Sequence, residues 1–428
     1  MPNILRRVIN PGFELDGRER EYYLLIALTF LQGFFWFMVV PLIPLFAQEL
    51  GAREFLVGVI SSVTSITFVF TSIPSGALSD MLGSRTLFRW TYVLGIAGAL
   101  LYAVTPTASL LVIPQLFYAF SNTFFWPAWA AHLVSLVPGP QQARMMGYSS
   151  GVSGLGAILG PLVGGYLVDR AGFRAMFVLY ALFSIAGFYL ASALPAKQQQ
   201  QSGGLLAALK RLGPSVGEGA RLLQREPVMT AFWTTFFGFL SMNMADTFAP
   251  LYLKEIGYGI SAIGLVMTAR NITLTVARFA LGPITRLVGV RPLLIGCVLL
   301  SAGASALMPL VGGLKMGLPA MLLLSAVMGL GPGVVPPINK ALIAGGTGQS
   351  ERATGMGVSE VAGSGGRFVS SIAFGGMAQG FGNATAIIAG NLLAVVVYLF
   401  GARRALQVPD RQSRPQSPKA ASQTQGSR

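Results

Sequence analysis

A segment near the start of the chain recurs 206 residues later without a gap. Pro44-Leu45 returns as Pro250-Leu251, and Gly51 returns as Gly257. The same shift relates five further pairs: Glu49 and Glu255, Gly58 and Gly264, Gly76 and Gly282, Gly83 and Gly289, Arg85 and Arg291. Both copies lie among apolar segments that come in the same order. The repeat therefore predicts a chain that folds as two similar halves.

The composition places most of the chain in lipid. Only 11% of the 428 residues are charged, and 53% are hydrophobic. Soluble domains carry about 25% charged residues, so the bilayer must be the solvent here. One cysteine, Cys297, and one histidine, His132, exclude a disulfide framework and a metal site built from Cys or several His. The sequence has no nucleotide-binding loop and no catalytic constellation, so we predict neither an ATP-driven pump nor an enzyme, and we expect no cofactor.

Apolar runs of about 20 residues or more, the length that crosses a bilayer, predict twelve spans. Spans 1 to 12 are expected at 22–46, 55–79, 87–106, 108–136, 144–168, 173–194, 228–253, 258–284, 290–311, 317–344, 353–380 and 382–402. The predicted fold is an all-α membrane protein of two pseudo-symmetric six-helix bundles. The bundles are expected at 1–194 and 227–402, with a cytoplasmic linker at 195–226 and a disordered cytoplasmic tail at 403–428. Within the linker, 205–225 is predicted to lie on the membrane surface as an amphipathic helix.

Basic residues predict the orientation. With both termini inside, the inner segments hold twenty-one Lys and Arg and the outer loops hold five. This asymmetry predicts cytoplasmic termini in a plasma membrane, the inner membrane of a bacterium. The net charge of +15 is then mainly a topology signal, and no nucleic-acid partner is expected. We expect no cleavable signal peptide, because the first apolar run is too long for one.

The loop after span 2 carries a spaced motif: Gly76, Leu78, Asp80, Gly83, Arg85 and Arg89. It resembles the first signature loop of the major facilitator superfamily. The resemblance implies that Asp80 contacts the N-terminus of span 11, near Arg352, and favours one conformational state. The second half has Arg286 where Asp80 stands in the first, so this contact is expected on one side only.

Span 5 carries a second motif, made of five glycines and a proline. Its members are Gly147, Gly156, Gly160, Pro161, Gly164 and Gly165. It resembles the antiporter motif of the drug:proton antiporter branch of that superfamily. The glycines leave one helix face bare for close packing, and Pro161 removes a hydrogen bond and bends the span.

The chain departs from the antiporter pattern in the first half. The branch usually has an arginine in span 4 where this chain has Gln115, and a carboxylate near Ser135. The predicted span 1, residues 22–46, contains no acidic residue. The usual proton machinery of the first half is therefore missing.

Charges within the spans are concentrated in the second half: Asp246, Arg270, Arg278, Lys340, Glu360 and Arg367. Charges in a membrane pair with one another or line a wet cavity. From their depth, Asp246 is expected to pair with Arg270 and Glu360 with Arg278. Asp246 and Glu360 are candidate proton-coupling groups, and fixed ion pairs between helices are the alternative. The lone His132 is read as a packed or solvated polar residue.

Aromatic clusters mark spans 1, 4 and 7, which line the central cavity in the family the chain resembles. They contain Trp36 in span 1 and Trp126 in span 4, and they suit an apolar or aromatic ligand. In span 10, Gly329-Leu-Gly331-Pro332-Gly333 is expected to break or kink the helix.

Together these features predict a secondary active transporter that works by alternating access between its two halves. The expected function is proton-coupled efflux of a small, partly apolar solute by a monomer. Its expected partners are this solute, protons and membrane lipids. One alternative is a carrier of a metabolite or lipid-like substrate without proton coupling. Another is a sensor or scaffold on a transporter frame, which a large soluble or ligand-binding extension would favour.

Overall fold

The computed structural model describes residues 13–195, 217–348 and 351–405, and these are helical without strands. The first half has helices at Glu19–Val39 and Ile43–Glu49 (span 1), Glu54–Leu82 (span 2), Ser84–Val104 (span 3), Val112–Val134 (span 4), and Gly139–Ser192, which Gly172 divides into spans 5 and 6. The second half has Glu226–Asn243, a π-helical turn Met244–Phe248 and Ala249–Glu255 (span 7), Ile260–Val288 (span 8), Val290–Gly313 (span 9), Gly317–Met328 and Leu330–Gly346 (span 10), Arg352–Phe381 (span 11) and Asn383–Ala405 (span 12). The order and number of the predicted spans are confirmed, and span 10 breaks at Gly329 as expected.

The repeat seen in the sequence recurs in the backbone. Span 2 at Glu54–Leu82 and span 8 at Ile260–Val288 begin and end 206 residues apart. The short helices Ile43–Glu49 and Ala249–Glu255, which end spans 1 and 7, are related by the same shift. The matched sequence positions therefore mark matched structural positions.

Four tight turns connect neighbouring spans in the same way. Gly83, Gly172, Gly289 and Gly382 have φ between 76° and 85°, with extended ψ values. Only glycine adopts this backbone conformation without strain. Two of these turns join spans 2–3 and 8–9, and the other two join spans 5–6 and 11–12. Each half therefore repeats its own three-helix unit, as in transporters built from inverted repeats.

Within the described residues, eight helical segments are long and apolar enough to cross a membrane. One of them, Arg144–Ser192, covers both span 5 and span 6. Spans 7 and 11 do not reach this level of hydropathy, and the described apolar part of span 12 is shorter. Spans 7 and 11 contain Asp246, Glu360 and Arg367. These charged residues lower the hydropathy of spans 7 and 11. Charges within a membrane usually face a polar site rather than lipid.

The two halves pack together along spans 5 and 8 and along spans 2 and 11. A Cβ atom built on Gly165 would lie 2.8 Å from the Ile260 carbonyl oxygen, and one on Gly375 would lie 3.2 Å from Gly58 Cα. At the same end of the molecule, Asp169 accepts hydrogen bonds from the backbone N–H groups of Ile260 (3.1 Å) and Ser261 (2.7 Å). The carboxylate of one half thus caps the N-terminus of span 8 in the other.

At the opposite end, the described end of the predicted linker is tied to the second half. Arg225 forms a bidentate ion pair with Glu351, with distances of 2.7 and 2.8 Å, and the Arg225 guanidinium holds the pKa of Glu351 below its ordinary value. Residues 217–222 are helical. Most of the predicted surface helix at 205–225, and the tail beyond residue 405, lie outside the described residues.

Candidate functional site

The site begins with an irregularity in span 7. Pro250 has no N–H group, so the carbonyl of Asp246, four residues earlier, lacks its usual helical donor. The backbone accommodates this with the π-helical turn Met244–Phe248, which contains Asp246. Asn243 anchors the turn to span 11 through hydrogen bonds from Nδ2 to the hydroxyls of Ser370 (3.2 Å) and Ser371 (2.9 Å). Single π turns of this kind are frequent at functional sites.

Asp246 and Arg270 form an ion pair, as predicted. Arg270 Nη1 donates to Asp246 Oδ1 at 2.5 Å, and Arg270 is only 2% exposed. The Nε and Nη2 atoms of Arg270 are buried without a hydrogen-bond partner among the described residues. One of the three guanidinium nitrogens is therefore paired, and two are not.

Arg367 of span 11 brings the two halves together at this site. Its guanidinium carbon lies 4.6 Å from the ring centre of Phe239 in span 7 and 5.9 Å from that of Trp36 in span 1. Trp36 in turn stacks on Tyr118 of span 4, with ring centres 5.9 Å apart. Such contacts stabilise a cation in a poorly hydrated place. Arg367 also lies within electrostatic reach of Asp246 and Arg270.

Two clefts meet at Arg270. The larger, about 480 Å³, lies between spans 7, 8, 9 and 10 of the second half. The smaller, about 270 Å³, lies between the halves and is lined by Trp36, Asp246 and Arg270, among others. Asn271, which also lines the smaller cleft, donates from Nδ2 to the Ala157 carbonyl oxygen at 2.8 Å. Pro161 leaves that carbonyl without its helical donor, so the span 5 motif and the charged site are physically linked.

The predicted pairing of Glu360 with Arg278 is wrong. Glu360 instead lies 3.2 Å from Lys340 of span 10, and both side chains are about half exposed. Depth along a span does not fix the direction in which a side chain points, and spans 10 and 11 are in contact. Glu360 therefore belongs to a hydrated pair next to the site, while Asp246 belongs to the buried one.

The glycines of the antiporter motif serve two helix faces rather than one. Gly156, Gly160 and Gly164 bring span 5 against span 1, and a Cβ atom on Gly160 would lie 2.5 Å from the Phe34 carbonyl oxygen. Gly165 instead faces span 8 of the other half, and the Pro161 carbonyl lies against Gly264 of that span. Gly147 has open space around it.

In the signature loop, the two arginines contact span 6. Arg85 Nη2 donates to the Ser192 carbonyl oxygen at 2.6 Å, and Arg89 lies over the Phe188 ring at 5.2 Å. Gly83 forms the turn into span 3, and Leu78 packs against the apolar cluster at this end of the first half. The surroundings of Gly76 and Asp80 lie outside what the structure describes, so the expected contact of Asp80 with span 11 stays a prediction.

Two predicted site residues lie apart from the charged centre. Gln115 is buried in the first half, where it accepts a hydrogen bond from the Tyr102 hydroxyl and donates to Thr64 Oγ1 at 2.6 Å. Trp126 packs against Trp129, with ring centres 5.6 Å apart, in an apolar cluster of the first half. Both have the surroundings of packing residues.

One buried acidic residue, Glu21, was not predicted from the sequence. Glu21 lies inside the first helix, one residue before the predicted span, and it is buried. His132 Nε2 lies 2.7 Å from Glu21 Oε1, and Arg18 binds the same carboxylate through Nε at 2.7 Å and Nη2 at 2.9 Å. The signal in the sequence was Glu21 at the edge of an apolar run. Among the described residues, no group of three Asp, Glu, His or Cys side chains is placed to hold a metal ion.

Comparison with known proteins identifies relatives of modest identity. An uncharacterised transporter of the same superfamily type from Methanocaldococcus jannaschii is 22% identical over 67% of this chain and 73% of its own length. The multidrug resistance protein MdtG of Yersinia enterocolitica is 25% identical, over 64% of this chain and 66% of its own length. The quinolone resistance protein NorA of Staphylococcus aureus is 24% identical over 37% of this chain and 40% of its own length. The matches span less than two thirds of MdtG and NorA.

Solved structures share the fold. The nucleoside transporter NupG superposes with a TM-score of 0.74 at 14% identity, covering 90% of this chain and 99% of NupG. A POT family transporter in complex with 5-aminolevulinic acid superposes with a TM-score of 0.71 at 14% identity, covering 88% of this chain and 94% of that transporter. The family model described as Major Facilitator Superfamily matches residues 25–263 and 232–426. The chain therefore belongs to the major facilitator superfamily, as a multi-pass membrane transporter of small molecules and not an enzyme.

Proposed function

We propose that this transporter exports a small, partly apolar solute by alternating access, driven by proton entry. The observation that carries the proposal is the ion pair between the buried Arg270 and the partly buried Asp246, which lies in a π-helical turn beside a cleft between the two halves. A carboxylate whose counter-ion lies next to a substrate cleft can couple protonation to substrate binding. Protonation of Asp246 would release Arg270, and deprotonation would restore the pair.

Alternating access is supported by the two similar halves and by the close contacts between them at one end of their interface. Asp169, Gly165 and Gly375 close one end of the boundary between the halves, through backbone contacts and a helix cap. With the proposed cytoplasmic termini, this is the extracellular end. The half-exposed Lys340 and Glu360 lie toward the cytoplasmic end.

We propose that the chain is a monomer whose two bundles comprise residues 1–194 and 227–402. We also propose that residues 195–226 form the linker and residues 403–428 the tail. The bacterial inner membrane is the proposed location. Proton-coupled efflux draws support from the resistance proteins MdtG and NorA, whose names describe drug resistance. For Asp80, we propose that it stabilises one conformational state from the signature loop.

One observation favours a second candidate, a carrier of metabolites or lipid-like substrates without proton coupling. Gln115 stands where the antiporter branch has an arginine, and its amide is fully engaged with Tyr102 and Thr64 in a neutral network. The first half therefore offers no second charged group for proton transfer at that position.

The test is transport by purified protein in vesicles with an imposed pH gradient, over a panel of dyes and metabolites. We expect accumulation of at least one panel member against its gradient, in the direction opposite to proton flow, and collapse of that accumulation when a protonophore is added. Transport that ignores the pH gradient would replace the proposal with the uncoupled carrier. No transport of any panel member, by protein that stays folded, would count against both.

A further inference from the structure

The charges around the clefts do not balance. Asp246 is the one carboxylate that lines either cleft among the described residues, and Arg270 already binds it. Arg367, over the aromatic rings at the same centre, has no carboxylate within ion-pair distance among the described side chains, and its Nε is buried without a hydrogen-bond partner. Glu360 also acts electrostatically on Arg367, but it is itself paired with Lys340 at 3.2 Å. With both ion pairs counted, the positive charge of Arg367 is left over, so the centre carries an excess of positive charge.

Arg270 also has hydrogen-bonding capacity left over. Its Nε and Nη2 atoms are buried and unpartnered, while Nη1 holds Asp246. Buried donors without acceptors destabilise a structure. The unpartnered nitrogens of Arg270 would therefore be stabilised by a ligand that supplies hydrogen-bond acceptors. The Nε–Nη2 edge of an arginine matches the two oxygens of a carboxylate in a bidentate pair. Because Arg270 lines both clefts, an acceptor in either cleft can approach the residue.

The walls indicate what such an anion is attached to. The larger cleft is lined by Phe239, Met242, Met328 and Val335, with Ser301 and Ser305 among the few polar groups. Phe239 also supports the guanidinium of Arg367, so an apolar wall and a cation are adjacent.

We propose that the substrate is an organic anion, with a carboxylate bound by Arg270 and Arg367 and an apolar or aromatic body in the adjoining cleft. The inference rests on the proposed transport function and names its substrate class. A cationic substrate would meet two arginines and a carboxylate that is already neutralised, whereas an anion supplies the missing acceptor.

The experiment compares three probes that share one ring system: naphthoate, naphthamide and naphthylmethylammonium. Binding is measured by calorimetry on the full chain in discs of zwitterionic lipid, which removes anionic headgroups as competitors. We expect naphthoate to bind about tenfold tighter than naphthamide or more, an effect of the size that charge-assisted hydrogen bonds provide. The ammonium probe should bind most weakly.

Three variants assign the preference to residues. Arg367→Gln and the charge-balanced double variant Asp246→Asn with Arg270→Gln should both lose the preference for naphthoate. Arg278→Gln, which makes the same change elsewhere on span 8, should keep it. The double variant avoids leaving Asp246 buried alone, so loss of binding in it is not a consequence of an unpaired charge.

The inference is overturned if the amide or the ammonium binds as tightly as the carboxylate, if none of the three binds at millimolar concentration, or if the preference survives in both arginine variants. The vesicle transport assay with its panel of compounds distinguishes failure of the anion site from failure of the proposed transport function. Driven export of neutral or cationic compounds by the same preparation would leave the transport function standing and remove the anion site.

Discussion

Span 8 carries Arg270 at the position where span 2, 206 residues earlier, carries Thr64. By the same shift, Asp246 of span 7 corresponds to Val40 of span 1. Both spans are interrupted at this point. The first helix ends at Val39 and resumes at Ile43, and span 7 passes through its π-helical turn. The halves therefore share the interruption, but only the second carries the ion pair.

The difference separates what the repeat requires from what function adds. A proline four residues further on, Pro44 or Pro250, interrupts the helix in each half, whatever the side chain at the break. In the first half, the Gln115 amide has both a donor and an acceptor partner, as a packing network should. In the second half, two nitrogens of Arg270 have no hydrogen-bond partner in the part of the chain that the structure describes. A charged side chain at the centre of a membrane helix costs about 2.5–3.5 kcal/mol on membrane-insertion scales, so Arg270 is a candidate functional residue.

The largest expected effect tests whether both halves depend on glycine contacts of the same kind. A Cβ on Gly160 would lie 2.5 Å from the Phe34 carbonyl oxygen, and Gly366, 206 residues later, makes the equivalent approach to the Phe236 carbonyl. Gly160→Leu and Gly366→Leu should each prevent assembly, because overpacking against backbone costs about 1–3 kcal/mol or more. Gly147→Leu is the matched control, since its surroundings are open.

The yield of monodisperse protein and its melting temperature in detergent measure this effect. The symmetry of packing would be refuted if one of the two leucine variants assembled as well as the Gly147 control while the other failed.

A smaller effect separates packing in the first half from coupling in the second. Gln115→Leu removes the partners of Tyr102 and Thr64, and buried polar groups left unpaired cost about 1–3 kcal/mol. We expect a lower melting temperature, while the ratio of substrate accumulated to pH gradient applied is unchanged. A melting curve checks the expected loss of stability, and the vesicle assay checks that the response to the pH gradient is unchanged. A variant that melts normally but loses its response to the pH gradient would place proton coupling in the first half as well.

The smallest effect concerns the contact between the halves at Asp169. Its carboxylate caps span 8, and charge at a helix N-terminus contributes about 0.3–1 kcal/mol. Asp169→Asn should shift the population toward states open at this end, because the amide keeps one acceptor oxygen but loses the charge. The readout is alkylation from outside of a cysteine placed at Met267, which lines the cleft between the halves, in a Cys297→Ser background. Asp169→Glu serves as the control, and an unchanged alkylation rate in Asp169→Asn would argue against a role for the cap.

Much of the fold could be predicted because the bilayer imposes simple rules. Apolar run length gave the twelve spans, and the matched glycines marked turns that need a positive φ. The Asp246–Arg270 pair followed from equal depth on neighbouring spans. The same reasoning failed for Glu360 and Arg278, because depth leaves the angular position of a side chain around its helix undetermined.

Three features of the structure could not be predicted from these sequence patterns. Glu21 fell one residue outside a run defined by apolar residues alone, although His132 and Arg18 hold it inside the first helix. The π-helical turn needed the tertiary setting as well as Pro250, since the proline removes a donor but does not dictate how the backbone adjusts. The unpartnered edge of Arg270 depends on the packing of several spans and has no signature in the sequence.

We propose that proton coupling resides in the Asp246–Arg270 pair of the second half. The direct measurement compares wild type, Asp246→Asn, and the double variant Asp246→Asn with Arg270→Gln in the same vesicles, for pH-gradient-driven accumulation and for downhill exchange. The account predicts that the single variant loses driven accumulation but keeps downhill exchange, since an amide cannot cycle a proton, and that the double variant remains uncoupled. Normal driven accumulation by the single variant, or recovery of it in the double variant, would contradict the account.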